Sequence, residues 1–89
     1  MPRLLLIVDD EPQVLTAVSE ALEEHGYLTV TARNGREALD LVRRGIKPNA
    51  ILLDLMMPIM DGETFLAHRQ EEAALAQIPV VVLTAAGLS

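Results

Sequence analysis

Eighty-nine residues suffice for one hydrophobic core and leave no room for a second globular unit. At 51% hydrophobic, 22% charged and 2% aromatic the chain is too apolar to be disordered, and a net charge of -6 with its seven basic residues scattered argues against direct contact with nucleic acid. The absence of cysteine excludes a disulfide framework or thiolate metal site, and the apolar run Leu4 to Val8 is too short for a signal peptide or membrane span, so a cytoplasmic location is expected.

Arg3 to Val8 is a run of mostly branched side chains ending in Asp9 and Asp10, the pattern of a strand buried on both faces. Pro12 suits the first turn of a helix, where no N–H is needed. Val14, Leu15, Ala17, Val18, Ala21 and Leu22 recur at spacings of three and four and predict one apolar stripe along it, with Gly26 as its left-handed cap. Tyr27 to Ala32 alternates Leu28 and Val30 with Thr29 and Thr31, as an edge strand does. Asn34 and Gly35 open a second helix that buries Ala38, Leu39, Leu41 and Val42. It ends on Arg43 and Arg44, cations suited to the negative end of the helix dipole, before Gly45 and a turn at Pro48.

Ala50 to Asp54 is again an apolar strand with a terminal acid. Met57, Pro58, Asp61 and Gly62 form a loop, with Asp61 read as the cap of a third, less regular helix from about Glu63 to Ala74. After Pro79, Val80, Val81, Val82 and Leu83 predict a fourth strand ending at Thr84. Regular alternation of strand and helix predicts an α/β fold, a doubly wound parallel sheet with helices on both faces and one domain over 1–89.

Open parallel sheets bind ligands beyond the carboxyl ends of their strands. Here those ends carry Asp9 and Asp10, then Asp54, then Thr84. Singly, Asp9 or Asp10 reads as a helix cap, Asp54 as a turn residue and Thr84 as a β-branched strand residue. Together they put three carboxylates and a hydroxyl at one pole, where mutual repulsion favours a hard divalent cation, and all-oxygen donors with open positions suit Mg²⁺. His25 and His68 have no partner at ligand spacing and are read as solvated, Glu71 and Glu72 as an exposed face, and Met56, Met57 and Met60 as loop packing.

The segment Leu52, Leu53, Asp54, Leu55, Met56, Met57, Pro58, Ile59, Met60, Asp61, Gly62 closely resembles the phosphoacceptor loop of response-regulator receiver domains. Val8, Asp9, Asp10, Glu11 upstream and Val82, Leu83, Thr84, Ala85 downstream extend the resemblance over the whole chain. It implies a flavodoxin-like sheet of order 2-1-3-4, continued in the family by a fifth strand. It further implies that Asp54 accepts a phosphoryl group from a sensor histidine kinase, a phosphotransfer protein or a small acyl phosphate. Asp10 would ligate Mg²⁺ directly, Asp9 through water and Met56 through its carbonyl. Thr84 would bond the phosphoryl oxygens and report the modification, beside a small Ala85. The chain would thus be a signalling module that at most catalyses its own phosphorylation weakly.

The family continues into a further helix, a fifth strand with a phosphoryl-pairing lysine, and a last helix, so the chain is expected to be truncated after its fourth strand. Its one lysine, Lys47, is placed before the third strand, at the far pole. Two other readings stand beside the phosphorelay module: a non-switching interaction fragment, and a Mg²⁺-dependent aspartyl phosphohydrolase. The second wants an acid/base aspartate two residues after the nucleophile, where this chain has Met56. An unbroken apolar fourth strand at a sheet edge also predicts homo-oligomerisation through Val80, Val81, Val82 and Leu83.

Overall fold

The computed structural model describes residues 2–54 and 62–83. Strand β1 (Leu4–Val8) leads into helix α1 (Pro12–Glu24), then β2 (Leu28–Ala32), α2 (Gly35–Arg43) and β3 (Ala50–Asp54). Helix α3 (Gly62–Glu71), the short α4 (Ala73–Ala76) and β4 (Val80–Leu83) complete them. The four strands form one parallel sheet in the order β2-β1-β3-β4, as the alternation and the resemblance require.

The crossover β1–α1–β2 steps one way along the sheet and β2–α2–β3 steps back past β1, so with right-handed connections α1 lies on one face of the sheet and α2 on the other. The side chains of β1 follow that division. Leu6 and Val8 join Ile51 and Leu53 in a cluster with Ala38, Leu39 and Val42 of α2, Phe65 of α3 and Leu75 of α4. Leu5 and Ile7 are buried on the other face, which α1 covers with Leu15. A strand covered on both sides has no polar position to spare, hence the continuous apolar run of β1.

Helix ends are held by local chemistry. Asn34, itself buried, caps α2 by accepting from the Glu37 amide at 2.9 Å, while the Glu37 carboxylate accepts from the Arg33 amide at 2.9 Å, a reciprocal pair that satisfies two otherwise unpaired donors. Gly26 and Gly45 follow α1 and α2 with φ of 88° and 105°, the left-handed conformation that terminates a helix without a Cβ penalty.

Three expectations are corrected. Ala17 and Ala21 are exposed, not part of the buried stripe of α1: the helix turns the arc from Val14 through Val18 and Leu22 to Leu15 inward, and at about 100° per residue Ala17 and Ala21 fall outside it on the Val14 side. The third helix is interrupted at Glu72, whose backbone is extended (φ -109°, ψ 115°), so α4 is a separate turn. Glu72 is also not merely solvated: its carboxylate pairs with the Arg43 guanidinium, joining α2 to the break. That pairing holds the Glu72 carboxyl below its usual range, chiefly through the hydrogen bond.

Candidate metal centre

Register decides how the acidic strand ends meet. Val8 is level with Leu53 across the β1–β3 ladder, so the next residue on each strand, Asp9 and Asp54, leaves the sheet side by side. Because β2 and β3 flank β1 on opposite sides, this is the point where strand order reverses and a crevice opens. One carboxylate oxygen from each of Asp9, Asp10 and Asp54 lies within 4.8 Å of the other two. The sequence-predicted acidic triad is therefore assembled.

The three acids differ in setting. Asp9 is 7% exposed, its amide donates to the Ala32 carbonyl at 3.1 Å, and its Oδ1 accepts the Glu11 amide at 2.9 Å. Those two bonds tie the side chain down between the end of β1 and the start of α1. Asp54 is half-buried and Asp10 exposed. Burial pushes the Asp9 carboxyl above its usual range; the Glu11 amide opposes this, and the charges of Asp54, Asp10 and Glu11 add to the rise. Glu11, which the upstream motif carries without an assigned role, thus acts on the cluster through both its amide and its charge.

A compact, all-oxygen, strongly anionic donor set with one exposed member fits a hard cation that keeps part of its water, and Mg²⁺ is the ion for which such a set is suited. Thr84 and Met56 lie outside the described residues, as do Met57, Pro58, Met60, Asp61 and Ala85. Lys47 is exposed in the segment before β3, at the opposite end of the sheet from the carboxylates. His25 is exposed, with Nδ1 2.9 Å from the Ala21 carbonyl, and His68 is half-buried; neither belongs to the acidic group.

A doubly wound parallel sheet with a carboxylate triad at its switch point places the chain among α/β domains whose ligand crevice could hold a cation. Within that class the comparisons are specific. A family model described as the response regulator receiver domain matches residues 5–88. The response regulator Rre1 of Synechocystis is 42% identical over 89 residues, covering 99% of this chain and 38% of that protein. The polar-differentiation response regulator DivK of Brucella anthropi is 35% identical, covering 96% of this chain and 68% of that protein. Among solved structures, the N-terminal domain of a response regulator receiver protein from Methanoculleus marisnigri superimposes with a TM-score of 0.88 at 37% identity, over 93% of this chain and 67% of the other.

The chain belongs to the response regulator receiver domain family. It spans little more than a third of the length of Rre1 and about two thirds of DivK. Membership makes it a signalling domain of the two-component kind, with the flavodoxin-like receiver fold.

Proposed function

We propose that the chain is the phosphoacceptor module of a two-component phosphorelay, in which Asp54 receives the phosphoryl group and Asp9 and Asp10 hold Mg²⁺ beside it. The observation that carries this reading is the meeting of the three carboxylates at the switch point. An Asp54 oxygen attacks phosphorus in line with the leaving group; the O–P bond forms as the N–P bond of a phosphohistidine or the O–P bond of an acyl phosphate breaks. The leaving imidazole takes up a proton, whereas a carboxylate leaves as such. Mg²⁺, when bound, neutralises charge on the phosphoryl oxygens and on the acids.

The work of the protein is positioning. Asp54 is half-buried at the end of a strand whose Ile51 and Leu53 are fully buried, and such positioning is the main contribution a fold makes to phosphoryl transfer. The resemblance assigns direct ligation to Asp10, water-mediated ligation to Asp9, a carbonyl ligand to Met56 and the phosphoryl-bonding hydroxyl to Thr84. Its implied donors are a sensor histidine kinase or a phosphotransfer protein.

Intact-mass measurement after incubation with acetyl phosphate tests the reading. A single Mg²⁺-dependent phosphoryl adduct is expected, absent in Asp54→Asn and strongly reduced in Asp10→Asn. Labelling is expected to be slow, since the one lysine, Lys47, is at the far pole. An adduct that persists in Asp54→Asn, or one indifferent to Mg²⁺, would overturn the assignment.

A further inference from the structure

The pole that holds the carboxylate triad is negative well beyond the triad itself. In a parallel sheet every strand ends on the same side, and each crossover helix begins there and runs back. That places at least five acids at this pole: Asp9 and Asp10 after β1, Glu11 at the start of α1, Asp54 at the end of β3 and Glu37 in the first turn of α2.

The same topology sorts the cations. Arg3 precedes β1, Arg43 and Arg44 close α2, Lys47 lies before β3, and Arg69 bonds the Ile78 carbonyl ahead of β4, so these belong to the far pole. Arg33 and Arg36 remain. Arg33 directly follows β2 and Arg36 lies in the first turn of α2, on either side of the buried cap Asn34. Ala32 is level with Val8 and its carbonyl accepts the Asp9 amide at 3.1 Å, so Arg33 leaves β2 beside the point where Asp9 leaves β1.

The stability of the fold does not account for these two side chains. Both are exposed, and among the described residues no ion pair engages either guanidinium. Arg33 enters the capping pair through its backbone amide. Arg36 is a cation in the first turn of a helix, where it opposes the dipole. Phosphoryl transfer gives them a use. A phosphodonor is multiply negative, and it approaches a pole whose acids outweigh the double charge of a bound Mg²⁺. Exposed charges act on such an approach without contact, over about 10 Å at 0.1 M salt.

We propose that Arg33 and Arg36 are specificity-determining residues of the phosphoacceptor site, exposed cations that offset its negative pole and favour capture of dianionic phosphodonors. The proposal rests on Asp54 as the acceptor. Their action is through the field of the pole, not on the reacting atoms. Because Mg²⁺ and the donor have opposite charges, the same two side chains weaken the hold on the metal while they draw the donor in.

The variant Arg33→Glu/Arg36→Glu tests this. Both positions are exposed and an acid suits a helix start, so it should fold as the parent does. At low ionic strength, saturating Mg²⁺ and subsaturating donor, its labelling by acetyl phosphate is expected to slow about tenfold, and labelling by the less highly charged phosphoramidate to slow less. Its Mg²⁺ affinity, read without donor from the amide resonances of Asp9 and Asp10, is expected to rise by about the same factor. Both changes should vanish in ~1 M NaCl, where the screening length is about 3 Å. Arg44→Glu/Lys47→Glu, at the far pole, should alter both far less. A variant that is labelled as fast as the parent, that binds Mg²⁺ no more tightly, that loses labelling and metal binding together, or that keeps its defect in ~1 M NaCl would overturn the proposal. The metal titration does not depend on Asp54 as acceptor, so a parent that takes no phosphoryl group counts against that reading while the effect of the arginines on the pole is still decided.

Discussion

Asp9 is a carboxylate held where the fold disfavours its charge, buried and beside Asp54 and Asp10. Its raised pKa means that the folded state binds this proton more tightly than the unfolded chain does. Its contribution to stability is therefore fully present below the unfolded value of about 3.8, and is lost as pH rises through the higher folded value. Glu72 has the opposite sign: its lowered pKa favours the fold above about 4.5 and that gain fades on acidification. Metal-free Asp9→Asn is expected to be more stable than the parent at neutral pH by on the order of 1 kcal/mol, with the difference shrinking on acidification. Urea melts at several pH values check this. Added Mg²⁺ should stabilise the parent and not the variant; a variant less stable than the metal-free parent at pH 7 would contradict the electrostatic account.

The junction of α3, α4 and β4 depends on two arginines that do different work. Arg43 meets Glu72 at the surface, where solvent screens the pair. Arg69 is half-buried and satisfies the carbonyls of Ile78 and Ala76, which the end of α4 leaves without helical partners. Arg69→Met is expected to destabilise the chain by about 1 kcal/mol, while Arg43→Met leaves the urea midpoint essentially unchanged. Equal losses would show that the surface pair, not the carbonyl bonds, holds the junction.

Across the whole molecule the sheet is unevenly covered. Leu53 and Ile51 are sealed under α2, α3 and α4, yet on β4 Val81 is 53% and Val82 43% exposed. The outer edge of β4 has no partner strand among the described residues. Burying two such side chains is worth about 1.5 to 3 kcal/mol each, a substantial fraction of the roughly 5 to 15 kcal/mol that stabilises a domain. We therefore propose that copies of this 89-residue chain associate through Val80, Val81, Val82 and Leu83, most simply about a twofold axis. Light scattering should show concentration-dependent mass that Val81→Lys or Val82→Lys reduces. A stable monomer at high concentration, with β4 amides protected from exchange, would refute it.

Strand ends, helix starts and the acidic pole were legible from residue order, because each rests on local rules: an apolar run stopped by acids, proline at a first turn, glycine after a last one. Asp9, Asp10 and Asp54 could be placed together because parallel topology sends every strand end to one side. Tertiary contacts alone decided the rest. Whether Ala17 faces in or out depends on how α1 sits on the sheet, the break at Glu72 meets a carboxylate partner, Arg43, from another helix, and the exit from α4 depends on carbonyls that Arg69 reaches. Pattern along a chain records what each element buries, whereas the meeting of distant side chains is settled by packing.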